Sequence, residues 1–279
     1  MTLGVRSSVV LAVSCCVLAR AASLGADLKG GPAAPRVPTS GAPRVVAPRE
    51  PPAPGREATF GVAGIPEATF QGAPQTVPFV VYLPANYDQR RKWPVVMEWH
   101  GAGGQAGVPI SRRVTGGKDF ICVGLTYING QAETEDRYIK RVYDTIIERF
   151  KGDANAVFPG GFSLGGLAQE RFILRPETIG RYRAVWMFGA GVVGSHFRKP
   201  AEVTWLAKTP FFIAVGETDF NRKAVETASP HFKAVIPDLA LHVMPGKGHQ
   251  VDFESFGPKL LEFWKRNLPA AAPKEHPSP

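Results

Sequence analysis

From residue 77 onward, short apolar runs alternate with longer stretches in which apolar and charged positions take turns at helical spacing. Residues 77–83, 93–99, 120–127, 184–188, 211–215 and 239–244 are apolar runs of strand length, several closed by turn formers such as Pro84 and Asn86-Tyr87-Asp88. Between the third and fourth runs, Ile139, Val142, Tyr143, Ile146, Ile147 and Phe150 fall on one side of a helix. Lys140, Arg141, Asp144, Glu148 and Arg149 fall on the other, so one face is core. A last helix starts at Pro258, a good first helical residue after Gly257, and turns Leu260, Leu261, Trp264 and Leu268 inward. Strands alternating with helices predict an α/β fold with a mostly parallel central sheet and helices on both faces. Upstream, Glu57-Ala58-Thr59-Phe60 recurs as Glu67-Ala68-Thr69-Phe70, which reads as two edge strands around a Gly-containing turn.

The flanks carry no such periodicity. Arg6, the apolar run from Val9 to Leu18 and the small-x-small pattern Ala19-Arg20-Ala21 predict a cleaved export signal over 1–21, placing the protein in a secreted, periplasmic or cell-envelope compartment. The run is too short to span a bilayer, which takes ~20 residues. Ala12-Val13-Ser14-Cys15 departs from a lipoprotein box, lacking a leucine three places before Cys15. Residues 22–56, dense in Pro, Ala and Arg, are expected to be a disordered linker and 269–279 a disordered tail, leaving 57–268 as the one folded domain. Cys15 and Cys16 would leave with the signal. Cys122, in an apolar run, is then a small core residue with no disulfide partner.

Composition alters this picture little. At 279 residues and 44% hydrophobic content the chain can build a substantial core. About half of the formal excess of +9 lies in residues 1–56 and the tail, and no basic helix or aromatic-interleaved basic stripe is present, so nucleic acid is not an expected partner.

The chemistry centres on Phe158 to Leu167, FPGGFSLGGL, where Gly161 and Gly165 stand two residues either side of Ser163. This spacing suits a nucleophile elbow: a strand ends, the backbone turns sharply, and a helix begins with the hydroxyl exposed at the turn. A serine hydroxyl needs a base, and the base needs an orienting carboxylate. Asp219 follows the run ending at Val215-Gly216, and His249, in the loop Gly246-Lys247-Gly248-His249, follows the run ending at Met244. Both sit at the carboxyl ends of strands, where parallel sheets gather their sites. Glu217 shares the Gly216-Glu217-Thr218-Asp219 turn and rivals Asp219 for the acid. His100-Gly101-Ala102-Gly103-Gly104 follows the 93–99 run, and the N–H groups of Ala102 and Leu164 are the expected oxyanion hole, with His100 structural. No metal-ligand spacing appears, and the scheme calls for no cofactor and no metal.

On these residues the chain, from about Glu67 to Leu268, resembles the α/β-hydrolase superfamily. VYLPANYDQRRKWPVVMEWHGAGG followed by GGFSLGG is similar to exported polyhydroxybutyrate-depolymerase-like, feruloyl and acetylxylan esterases, with dienelactone hydrolases and prolyl-oligopeptidase catalytic domains as relatives. The resemblance implies the α/β-hydrolase fold and assigns nucleophile, acid, base and oxyanion loop to Ser163, Asp219, His249 and residues 100–104. Two departures stand out. Glu98 and Trp99 replace the usual apolar residues before His100, altering the entry to the oxyanion loop, and residues 103–119 are too Gly-rich for the full helix found there.

The expected function is therefore an exported serine hydrolase that cleaves polymer-attached or small soluble carboxylic esters. The segment 189–209 is too short for a large lid, which implies an open site. Two alternatives stand beside it: a prolyl-oligopeptidase-like peptidase, and a non-catalytic surface-binding protein on a hydrolase scaffold.

Overall fold

Successive residues of the central strands bury themselves on opposite sides of one sheet, and the helices follow from that alternation. The computed structural model describes residues 44–46, 51–63, 76–101, 105–126, 132–172, 174–190 and 204–270, all within the unit Gly41–Pro279. The expected signal segment 1–21, the second EATF copy at 67–70, Ala102 and residues 271–279 lie outside them.

The strands are β1 (Arg44–Val46), β2 (Glu57–Ala63), β3 (Thr76–Tyr82), β4 (Trp93–Trp99), β5 (Ile121–Leu125), β6 (Gly152–Phe162), β7 (Val185–Phe188), β8 (Phe211–Gly216) and β9 (Leu239–Met244). The helices are α1 (Pro109–Thr115), α2 (Ala132–Arg149), α3 (Leu164–Phe172), α4 (Pro176–Ile179), α5 (Arg222–Val235) and α6 (Gly257–Arg266), with a short 3₁₀ turn at Thr204–Lys208. The sheet order is β1-β2-β3-β5-β4-β6-β7-β8-β9. From β5 to β9 every pairing is parallel, and β1, β2 and β3 add an antiparallel edge.

The period of two decides which helix covers which face. Val95, Met97, Trp99 and Val157 point into a core completed by Ile139, Val142, Ile146 and Phe150 around α2, Ala168 of α3, and Val225, Phe232 and Val235 of α5. Val96, Ala156 and Phe158 point the other way, against Ile110 and Val114 of α1 and Leu260, Phe263 and Trp264 of α6. Cys122 is fully buried, and burial pushes its thiol up to about 12, so it is inert packing.

Three elements differ from their sequence expectations. The segment expected to be linker through residue 56 already joins the sheet, since Arg44–Val46 pair with Gly61–Ala63, and Gly55 N–H donates to Leu83 O over 3.0 Å. Strand edges satisfy backbone groups whatever the side-chain pattern, so a tripeptide between prolines can pair there. β6 runs for 11 residues instead of the expected short strand at 156–158, passing through Pro159 and Gly160, because Trp186 of β7 lies against Gly160 and donates its indole N–H to Phe158 O over 3.2 Å. The last helix, α6, ends at Arg266, short of Leu268; Leu261 and Leu268 are only partly buried, and Phe263 takes the inward place beside Leu260 and Trp264.

Candidate active site

Ser163 stands between β6 and α3 with φ at +55°, a left-handed conformation uncommon for a residue with a Cβ. Its N–H donates to Phe188 O over 2.9 Å and its carbonyl accepts from Gly166 N–H over 2.9 Å, fixing the turn from both sides. Side chains cannot fit around it. A Cβ on Gly161 would lie 2.7 Å from Trp99 O and 2.8 Å from the Gly165 carbonyl carbon, so both glycines of the motif are there to let α3 pass over the ends of β4 and β6.

Asp219 and His249, the expected acid and base, follow β8 and β9, the two strands beyond β7 in the sheet. β8 ends at Gly216, and the following turn is stitched to the loop after β9: Glu217 N–H donates to Met244 O over 3.0 Å, and Thr218 N–H to Lys247 O over 2.9 Å. Asp219 is thereby held with its side chain fully buried, and His249, about a quarter exposed, faces it. His249 Nδ1 lies 2.9 Å from Asp219 Oδ2, and His249 Nε2 lies 2.8 Å from Ser163 Oγ. A proton on Nδ1 satisfies both contacts: Nδ1–H donates to the carboxylate, and Nε2 accepts from the hydroxyl. Asp219 Oδ1 accepts in addition from Asn221 N–H over 2.8 Å, so both carboxylate oxygens are engaged.

The structure thus brings Ser163, His249 and Asp219 together in one chain of hydrogen bonds, and it separates Glu217 from them. Glu217 Oε2 accepts from Gly246 N–H over 2.7 Å at the outside of the turn, where it braces the histidine loop. Of the expected oxyanion donors, Leu164 is the first residue of α3, directly after Ser163, while Ala102 lies outside the described residues. Gly101 does lie against Ser163, since a Cβ built on it would be 3.3 Å from Ser163 Cβ. The His100 ring is exposed.

Glu98 and Trp99 turn out to be buried on opposite faces of β4. Trp99 packs in the core on the α3 side. Glu98 reaches α1, accepting from Ile110 N–H over 3.1 Å and from the N–H and hydroxyl of Ser111 over 2.7 Å each. It joins the end of β4 to the start of α1, the two ends of the loop that contains the expected oxyanion donor Ala102. Burial pushes its carboxyl up to about 7, against the opposing pull of the Ser111 and Ile110 donors. The seven-residue α1 is the reduced helix that the Gly-rich segment 103–119 implied.

Three residues around the site were not singled out by sequence. Gly189, just past β7 at φ +53°, lies beneath the Asp219–His249 pair and accepts from Asn221 Nδ2 over 2.7 Å. The Phe162 and Phe220 rings flank the imidazole, with centroids 4.8 and 4.3 Å from it. Their one sequence signal is adjacency, since Phe162 precedes Ser163 and Phe220 follows Asp219. Among the described residues no group of three or more His, Cys, Asp or Glu could hold a metal ion, and no helix is long and apolar enough to cross a membrane.

No protein-family model matches the chain, and no curated protein matches it by sequence. Solved structures do match by shape. A protein described as a dipeptidyl aminopeptidase IV of Bacteroides ovatus superposes with a TM-score of 0.59 at 15% identity over 76% of this chain, which spans only 36% of that protein's length. A ferulic acid esterase matches with a TM-score of 0.58 at 15% identity, covering 76% of this chain and 98% of its own. An S-formylglutathione hydrolase of Agrobacterium tumefaciens matches with a TM-score of 0.56 at 17% identity, covering 76% and 95%. With the parallel sheet, the left-handed Ser163 at the β6–α3 turn and the order of the strands, these likenesses show that the chain has the α/β-hydrolase fold.

Proposed function

We propose that this protein is a serine hydrolase that cleaves carboxylic esters through an acyl-enzyme on Ser163. The observation that carries the reading is the continuous relay from Ser163 Oγ to His249 Nε2, 2.8 Å, and from His249 Nδ1 to Asp219 Oδ2, 2.9 Å, at the carboxyl ends of the strands. In this reading His249 takes the Ser163 proton as Oγ attacks the ester carbonyl, and Asp219 stabilises the imidazolium. The tetrahedral oxyanion is held by the N–H groups of Leu164 and Ala102. His249 then returns the proton to the departing alcohol, and water, deprotonated by the same imidazole, releases the acid. The residues present supply each proton transfer, so the reading needs neither metal nor cofactor.

Esters are favoured over amides by the likeness to a ferulic acid esterase and an S-formylglutathione hydrolase along nearly their whole lengths. A peptidase is the second reading, carried by the likeness to the dipeptidyl aminopeptidase, of which only about a third is matched. Turnover of alkyl acetates, methyl ferulate, acetylated xylan and a peptide amide by the purified protein separates the two. Ester turnover without amide turnover is expected, and the reverse would transfer the chain to the peptidases. The export signal expected over 1–21 makes the substrate an extracytoplasmic ester, and N-terminal sequencing of the exported protein should find it beginning near Ala22.

A further inference from the structure

We propose that Phe220 is the wall of the subsite for the ester's alcohol, and that the alcohol is apolar and large enough to cover its ring. The proposal rests on the ester-hydrolase reading and names the substrate class of that same site.

The direction in which the alcohol departs is set by proton transfer. When the tetrahedral intermediate collapses, the bond from carbonyl carbon to alcohol oxygen breaks, and that oxygen takes the proton that His249 Nε2 received from Ser163 Oγ. The departing oxygen must therefore lie within hydrogen-bond reach of Nε2. Whatever is bonded to it runs out past the imidazole, while the acyl chain stays attached to the carbon held by Oγ. Rings beside the imidazole thus meet the alcohol and not the acid.

Two rings are there, and they differ in exposure. Phe162 is partly buried and packed against the core on the α1 and α6 side. Phe220, its ring centroid 4.3 Å from that of the imidazole and tilted by 38°, is 61% exposed, the most exposed large apolar side chain among the described residues. Its backbone is held from both chain neighbours: Asp219 is held by His249, and Asn221 donates from its backbone N–H to Asp219 Oδ1 and from its side chain to Gly189 O. A water-exposed aromatic ring against the imidazole that protonates the leaving group is a surface for an apolar alcohol, which covers it only when bound. Small or hydrophilic alcohols leave that face wet.

The test uses the full chain and two ester series. The acetates of ethanol, 1-butanol and 2-phenylethanol vary the alcohol at similar acidity, and ethyl acetate, ethyl butyrate and ethyl 3-phenylpropanoate vary the acid. In the wild type kcat/KM should rise from ethyl to phenylethyl acetate. Phe220→Ala should cut the phenylethyl-to-ethyl ratio about tenfold, the size of one lost apolar contact, mainly through KM. Phe220→Leu should restore part of it, and preference within the acid series should stay within about twofold. Fluorophosphonate labelling and thermal melting of all three proteins report an intact site and fold. A labelled, active wild type whose alcohol preference ignores Phe220→Ala, or whose acid preference falls equally, overturns the subsite alone. A labelled wild type that hydrolyses none of the esters overturns the ester reading and the subsite with it.

Discussion

Replacing Gly189 with alanine should damage catalysis more than stability, and the structure says by how much. Gly189 has φ +53°, and a Cβ built on it falls 3.0 Å from Phe162 Cε2, 3.1 Å from Asp219 Oδ2 and 3.3 Å from His249 Cε1. The left-handed backbone alone costs an alanine roughly 1–2 kcal/mol. In a domain of this size that lowers Tm by about 2–8 °C, at 2–4 °C per kcal/mol. The three contacts are each tighter than ordinary van der Waals packing, so the Asp219–His249 pair must give by a few tenths of an ångström. A misplacement of 1 Å at a catalytic group can cost ~10²-fold, so a shift of that fraction should lower kcat about five- to tenfold. The control is Gly116→Ala, because Gly116 also has a positive φ, +60°, but its Cβ would meet nothing within 4 Å. Both variants should lose similar stability, and only Gly189→Ala should lose kcat. The assay is kcat and KM on a simple acetate, with thermal melting alongside. Equal kcat in the two variants would refute the reasoning, showing that the crowding relaxes away from the Asp219–His249 pair.

Two further outcomes follow from the same geometry. Asp219→Asn should lower kcat by about 10⁴-fold, the cost of losing the carboxylate that orients the base, while Glu217→Gln, whose amide oxygen can still accept from Gly246 N–H, should change it less than about threefold; steady-state kinetics with the reverse ranking would move the acid to Glu217. Glu98, fully buried with its carboxyl pushed from the ordinary 4.5 up to about 7, holds a proton in the folded state that the unfolded chain gives up, so its contribution is fully present below pH 4.5 and is lost as pH rises through 7. Glu98→Gln, neutral throughout, should therefore gain stability relative to the wild type between pH 5 and pH 8, by up to ~3 kcal/mol. Melting curves whose difference does not change with pH would contradict the assignment.

Much of this site was legible in the sequence because its parts are local. The 93–99 and 239–244 runs coincide with β4 and β9, and the elbow glycines are fixed by their spacing around Ser163. The sequence favours Asp219 over Glu217 but does not separate them, because two carboxylates on one turn differ only in which loop each meets in space. Gly189 was silent for the same reason: its reason to lack a side chain is the Asp219 carboxylate, 30 residues further along. Pro159 and Gly160 read locally as strand breakers, and only the Trp186 ring lying on Gly160 explains a strand there. Arg44–Val46 carry no alternation at all, and their pairing with β2 depends on an available edge. Glu98 was visible as a departure from pattern, but its partners Ile110 and Ser111 come from a helix whose position no local signal sets.

The central claim is that Ser163 Oγ is the nucleophile, and the most direct measurement is covalent. The wild type and Ser163→Ala should be treated with a fluorophosphonate probe, mapped by peptide mass spectrometry, and assayed on the same ester. The wild type should carry the probe on the peptide containing Ser163. The variant should be unlabelled and about 10⁶-fold slower, with a melting temperature close to the wild type's, since removing one hydroxyl outside the packed core costs within about 0.5 kcal/mol. A folded Ser163→Ala that still labels or turns over ester at the wild-type rate would contradict the account.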